Sequence, residues 1–227
     1  MCGRFAFYSP SEATAALFGV DGALAPDVVG NESRYNIAPT QFVAAIRENN
    51  EQRRELVMLR WGLVPFWARE PAIGNRMINA RAETVAEKPS YRAAFKHRRC
   101  IVLADGFYEW HREGDVKTPY FISLASGKPF ALAGLWEDWQ DKNSGESLQT
   151  TTLITVAAND FMQSLHHRMP VILQPETADE WLAGTNEYLQ VAAERTPALQ
   201  AWPVNRRVNN ARNQGEELID VDGEIIC

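Results

Sequence analysis

A cysteine stands in second place, in the run Met1-Cys2-Gly3-Arg4-Phe5. Removal of an initiator methionine is usual ahead of a small side chain. It would leave an α-amine (pKa about 7.7–8.0) and a thiol (about 8.5) on adjacent carbons. Such an amine is partly unprotonated near neutral pH and condenses with aldehydes to a Schiff base. The neighbouring thiolate then closes on the imine carbon as a five-membered thiazolidine, a step favoured by proximity. The bland alternative is that Cys2 is only a start-codon neighbour.

Four further clusters of polar residues interrupt apolar segments: Arg34-Tyr35-Asn36-Ile37-Ala38-Pro39, Asn79-Ala80-Arg81-Ala82-Glu83, Asp105-Gly106-Phe107-Tyr108-Glu109-Trp110, and Leu165-His166-His167-Arg168-Met169-Pro170. Asn36 and Asn79 can serve simply to satisfy loop backbone. Glu109, between aromatics, is either an exposed strand residue or a desolvated carboxyl whose raised pKa suits a general acid. His166 and His167 are adjacent, so their side chains diverge, and no HExxH or CxxC accompanies them. One of them as an acid–base group is the better reading than both as metal ligands. The three cysteines, Cys2, Cys100 and Cys227, have neither metal spacing nor an even disulfide framework.

These clusters need elements to position them. Ser9-Pro10-Ser11-Glu12 predicts a helix start with Ser9 as N-cap and Glu12 closing a capping box, and Gly19 predicts its end. Residues 20–33 read as a loop. Alternation predicts a hairpin from Phe42–Arg47 and Glu55–Trp61 about the turn Glu48-Asn49-Asn50-Glu51. Short helices are expected after Arg81 and over Ser90–Lys96. Cys100–Ala104 is an apolar run of strand length. Further strands are expected at Phe107–His111, Tyr120–Leu124, Phe130–Trp136, Thr150–Ala158, Pro170–Leu173 and Ala201–Val204. Helical segments are expected at Asp160–Leu165, Pro175–Ala183 and Glu187–Ala193. Strands without a βαβ rhythm predict an α+β fold: one domain over residues 1–227, with a mostly antiparallel, barrel-like sheet surrounded by short helices.

The chain has 227 residues, a net charge of −6 and no apolar run long enough for a membrane helix. The N-terminus lacks a basic-then-apolar leader, and a reducing cytoplasm suits the cysteines. The acidic balance argues against indiscriminate nucleic-acid binding. Its distribution is uneven, however: residues 53–117 hold 13 Lys/Arg against 8 Asp/Glu. A local basic surface can track phosphates, although solvated helix faces produce the same imbalance.

Taken in order, the clusters resemble the SRAP (SOS-response-associated peptidase) family. The matching motifs are Met1–Phe5, Arg34–Pro39, Trp61-Gly62 with Pro65 and Trp67, and Ile78–Thr84. They continue with Ala104–Trp110, His166 with Arg168-Met169-Pro170, and a last stretch ending near Val208-Asn209-Asn210. The residue after the motif histidine is commonly Asp, and here it is His167. The resemblance implies a cytoplasmic, nucleoid-associated monomer of the DNA damage response that needs no metal or cofactor. It would sense abasic sites in single-stranded DNA and crosslink to them. On this analogy Cys2, Asn79, Glu109 and His166 are catalytic: Cys2 as nucleophile, Asn79 holding the N-terminus and opened sugar, Glu109 and His166 moving protons. Arg4, Asn36, Pro39, Trp67, Arg81 and Arg168 are the DNA-binding set, with Trp67 and neighbouring Phe66 meeting bases and the arginines meeting phosphates. AP-lyase activity and self-removal of Met1 are implied side activities. Two other classes stay open: a thiol autopeptidase or amidohydrolase using Cys2, His166 and Asn79, and a non-catalytic single-strand DNA module.

Overall fold

The structure, a computed structural model, describes residues 2–21 and 33–227; the loop expected at 20–33 lies mostly outside them. In chain order the elements are β1 (Phe5–Phe7), α1 (Ser11–Leu17), β2 (Arg34–Ile37), β3 (Phe42–Glu48), β4 (Arg54–Trp61), β5 (Asn79–Arg81), α2 (Ala82–Val85), α3 (Arg92–His97) and β6 (Arg99–Ala104). There follow β7 (Gly106–Glu113), β8 (Val116–Leu124), β9 (Phe130–Gln140), β10 (Ser147–Ala157), α4 (Asp160–Gln163), β11 (Arg168–Pro170), β12 (Ile172–Leu173), α5 (Pro175–Leu182), α6 (Tyr188–Val191) and β13 (Leu199–Pro203).

The expected α+β, mostly antiparallel, barrel-like architecture is present. Strands pair in the order β10-β4-β3-β6-β9, and β9 pairs back onto β10, so five strands close a circuit. The β3–β4 hairpin has Ala45 opposite Val57, close to the strand limits expected from alternation. The barrel wall is aliphatic on both faces: Ile46, Ile101 and Leu103 share one face, Leu59, Leu132 and Leu153 the other, and all are fully buried. Closure leaves the circuit without free edges, the costly feature of an open sheet. Parallel pairs are the minority: β10 with β4, and β10 with β5. A second sheet, β13-β8-β7-β1-β2, lies alongside.

The N-terminal segment is a strand, which the sequence pattern did not suggest. β1 pairs with β7 (Phe5 opposite Phe107) and with β2 (Phe5 opposite Ile37). At three residues it is too short for alternation to show. The Phe5 ring meets Trp61 edge-on at 5.2 Å, joining the second sheet to the barrel.

The helix start differs from expectation. α1 begins at Ser11 with Pro10 in the N-cap position, and no side chain caps it. Ser9 is engaged elsewhere: its Oγ donates to Asp105 Oδ1 at 2.5 Å, and the Tyr8 and Ser9 backbone N–H groups donate to Asp105 Oδ2 at 2.6 and 2.8 Å. A carboxylate accepting three hydrogen bonds outcompetes a local cap, because ionised acceptors bond more strongly. The other end is as expected: Gly19 has φ 74° and donates its N–H to the Ala16 carbonyl.

Asp105 therefore latches the turn that follows β1. Asp105→Ala should lower stability by about 3 kcal/mol, since buried donors are left without an acceptor. Urea unfolding would show this as a reduced midpoint with an unchanged slope; a loss below about 0.5 kcal/mol would mean that water replaces the carboxylate.

Candidate active site

Strand β10 organises the site. On one side it pairs with β5, placing Asn79 opposite Leu153 and Arg81 opposite Thr155; on the other it pairs with β11, placing Arg168 opposite Ala157. Two clusters more than eighty residues apart in sequence thus flank one strand. β1 brings Cys2 to the same place. The Cys2 carbonyl accepts a hydrogen bond from Asn79 Nδ2 at 2.7 Å, and the Cys2 Sγ lies 3.7 Å from the Arg4 carbonyl oxygen. That bond settles which way the Asn79 amide faces. Its Oδ1 is consequently a buried acceptor with no hydrogen bond among the described residues. The Asn79 carbonyl in turn accepts from the Tyr91 hydroxyl at 3.4 Å, a brace not anticipated from sequence.

Cys2 is fully buried. Burial, with the nearby Glu109 charge second, pushes its thiol pKa well up. Glu109 lies opposite Tyr120 on β7, on the same face as buried Phe107 and itself only 3% exposed. Desolvation raises its pKa as well, and the charge of the amino terminus, more than the Trp110 backbone N–H or His167, partly offsets that rise. The exposed-strand alternative for Glu109 is thereby excluded. His166 follows α4 and is half-buried. Its Nδ1 lies 3.0 Å from the Arg168 backbone nitrogen and 3.1 Å from the Arg168 carbonyl oxygen, so the Arg168 backbone fixes the ring's orientation. Burial is the largest cause of its lowered pKa, and the charge of Arg168 contributes less. His167 is exposed, and its ring stacks on His166 at 4.3 Å, so the two side chains do not diverge as their adjacency in sequence suggested. The arrangement is a thiol, a carboxyl and an imidazole that all favour their neutral forms, beside an open amide oxygen. Among the described residues no cluster of His, Cys, Asp and Glu has the makings of a metal site.

The residues expected to meet DNA divide into two groups. Arg81 is exposed, and Trp67 and Phe66 are 44% and 57% exposed. The loop that carries the two rings is held rigidly. The Val64 N–H donates to Thr150 Oγ1 at 2.9 Å, and Trp139 Nε1 donates to the Ala68 carbonyl at 2.8 Å. Where this loop leaves β4, Gly62 (φ 126°) passes so close to Gly74 that a Cβ would come within 2.6 Å of its carbonyl oxygen. Pro39 is half-buried in the turn after β2, where the Thr40 N–H donates to the Trp61 carbonyl.

The other group faces inward. Asn36 is fully buried, and its Nδ2 lies within 3.2 Å of the Val208, Asn210 and Asn213 carbonyls. Its assignment to DNA contact is therefore corrected: it anchors the C-terminal loop. Arg4 donates to Asn36 Oδ1 at 2.6 Å and to the Val208 carbonyl at 2.9 Å. Arg168 is 8% exposed, ion-paired through both Nη atoms with Glu83, and donates to the Thr155 carbonyl at 2.6 Å. In this structure Arg4 and Arg168 hold the scaffold instead of facing outward. Glu83 was visible only as part of a motif, and its pairing with Arg168 was not anticipated.

Fold and site define a class: a small α+β protein that folds its second residue, a cysteine, into a buried acid–base cluster at the junction of a barrel and a second sheet. A family model described as SOS response associated peptidase (SRAP) matches residues 1–211, and the chain belongs to that family. It is 42% identical over 226 residues to the abasic site processing protein YoqW of Bacillus subtilis, covering 97% of this chain and 99% of that one. Identity to the abasic site processing protein YedK of Escherichia coli is 36%, covering 96% and 99%. The abasic site processing protein HMCES of Xenopus tropicalis is 34% identical over 199 residues, 76% of this chain and 59% of that one. Among solved structures, a protein from Bacteroides thetaiotaomicron superposes with a TM-score of 0.83 at 26% identity, covering 97% of this chain and 99% of that one.

The raised pKa of Glu109 has a consequence for stability. A carboxyl whose folded pKa lies above its unfolded value of about 4.3 stabilises fully below that pH, and this contribution is lost as pH rises through the folded pKa. Glu109→Gln removes the buried charge, so it should raise the melting temperature at pH 8 by about 3 °C and leave it unchanged or lower at pH 4. Equal destabilisation at both pH values would show that Glu109 is held ionised by partners stronger than its desolvation.

Proposed function

We propose that this protein senses abasic sites in single-stranded DNA and captures them covalently through Cys2 after Met1 is removed. The observation that carries the reading is the Asn79–Cys2 bond of 2.7 Å, which orients the second residue, with the buried Glu109 carboxyl close enough to act electrostatically on the Cys2 thiol. The names of the relatives, abasic site processing proteins in bacteria and a vertebrate, support the same substrate.

The ring-opened abasic sugar is an aldehyde bearing a hydroxyl. The Cys2 amine adds to the aldehyde carbon, and loss of water leaves an imine. A neutral Glu109 carboxyl donates the proton that turns the departing hydroxyl into water, and the carboxylate then takes the thiol proton as sulfur adds to the imine carbon. The result is a thiazolidine with a new C–S bond. Burial keeps the thiol protonated until that moment, so the second step requires a base at hand. Asn79 Oδ1 accepts from the sugar hydroxyl, and neutral His166 serves the sugar oxygen during ring opening and reversal. An imine that fails to close is open to β-elimination, which accounts for a lyase side activity. Arg81 meets the strand's phosphates, and Trp67 with Phe66 meets its bases. The protein acts as a monomer without metal or cofactor.

Cys2→Ser keeps the amine but lacks the sulfur nucleophile. Incubated with abasic single-stranded DNA, it should give no stable adduct while borohydride still traps an imine; a normal yield of unreduced adduct would overturn ring closure. Glu109→Gln should slow single-turnover capture by about 10²–10⁴-fold at unchanged DNA affinity. A proportional loss of affinity would make Glu109 a scaffold residue instead.

Arg81→Ala should weaken intact and abasic single strands by similar factors, because phosphate contacts carry no base information. Its salt dependence of log K should be shallower by about 0.7, the share of one phosphate on a single strand. Anisotropy titrations at several salt concentrations measure both quantities, and an unchanged slope would assign Arg81 to the scaffold.

A further inference from the structure

On the face formed by α3 and the α5–α6 connection lies a cleft of about 280 Å³ that the chemistry at Cys2 does not use. It is lined by Arg92, Lys96, Arg99, Phe95, Asn186 and small residues, with three cations and no carboxylate in its wall. Arg99 is only 9% exposed. Its guanidinium lies 4.4 Å from the ring centres of both Phe95 and Trp181. It donates only to neutral acceptors: the Phe95, Trp181 and Thr185 carbonyls and Asn186 Oδ1. Carbonyl dipoles and ring faces hold this cation in place without cancelling its charge, so its field extends into the cleft. Burial lowers its pKa to about 10, which still leaves it charged at neutral pH.

Arg92 and Lys96, one helical turn apart on α3, are exposed and form no ion pair among the described residues. Because Asn186 Oδ1 is turned to Arg99, its Nδ2 is left as a further donor at the cleft wall. An adjoining cleft shares Lys96, Arg99 and Gly184 and contains Glu48, so the purely cationic side is the one bounded by Arg92 and Asn186. Donors without acceptors around an uncancelled buried charge suit a tetrahedral oxyanion. The segment from Arg81 through α2 to α3 joins this cleft to the active site. Ala86, next after α2, is in its wall, and Tyr91, just before α3, donates to the Asn79 carbonyl.

We infer that the cleft bounded by Arg92, Lys96, Arg99 and Asn186 is a phosphate-binding site, a second anchor for nucleic-acid backbone or a seat for a free phosphate monoester. The nucleic-acid source rests on the proposed function; the free-phosphate source does not.

The test uses the full chain and the variant Arg92→Glu/Lys96→Glu, with Lys96→Gln alone as the milder change should the double variant fold poorly. Affinity is measured for abasic single strands of three and of fifteen nucleotides, and melting temperature is followed against inorganic phosphate and AMP. If the cleft takes backbone phosphate, the fifteen-mer should bind the double variant about tenfold more weakly at low salt, with a salt slope shallower by about 1.4 for two lost contacts, and the three-mer should be unaffected. If it takes a free monoester, phosphate or AMP should raise the melting temperature of the parent and not of the variant. Equal loss for both strand lengths, with no effect of phosphate or AMP, would overturn the proposal, because that pattern reports only overall charge. No difference in any arm would overturn it also. A parent that fails to crosslink the three-mer would refute the function proposed for Cys2 while leaving the phosphate and AMP arm readable.

Discussion

The hydrogen bond from Asn79 to the Cys2 carbonyl is the contact on which the rest of the site depends. It joins the barrel, through β5 on β10, to the second sheet, through β1 on β7. Neither partner is held by its own short strand alone. β5 is fixed by its parallel pairing along β10, and β1 by its pairing with β2 and β7 and by the Asp105 latch beyond it. Cys2 is thereby buried, and its backbone is given a defined direction.

Burial then sets the electrostatics. Water is excluded from Cys2 and Glu109 and partly from His166, and each responds by favouring its neutral form: the acids shift up and the imidazole shifts down. Removing charge from the resting site lets groups of unlike acidity share a small volume. The same desolvation makes the cluster a weak point of the fold above the pKa of Glu109, the usual relation between a prepared reactive site and stability.

The arginines illustrate a division that composition alone cannot make. Arg4, Arg99 and Arg168 are directed inward to carbonyls, Asn side chains or Glu83, whereas Arg81 and Arg92 remain exposed. The net basic character of residues 53–117 thus overstates the charge free to meet an anion. Part of it braces the framework, and the remainder is spread over exposed positions from Arg53 to Lys117.

By itself the sequence determined the local elements whose signal is short in range. The β3–β4 hairpin was legible from alternation about a polar turn, the buried β6 from its apolar run, and the end of α1 from Gly19. It also determined the chemical inventory: an aminothiol precursor at Cys2, a carboxyl among aromatics at Glu109, and the pattern that marks the family. Tertiary structure decided the rest. Closure of the barrel depends on β9 meeting β10, and β1 and β2 exist as strands only because β7 and one another supply their partners. Ser9 left its helix-capping role because Asp105, far along the chain, offers a stronger acceptor. Asn36, Arg4 and Arg168 take partners within the fold for a related reason. A polar side chain takes the partner that burial forces on it, and that partner comes from whichever distant segment the fold brings within hydrogen-bonding distance.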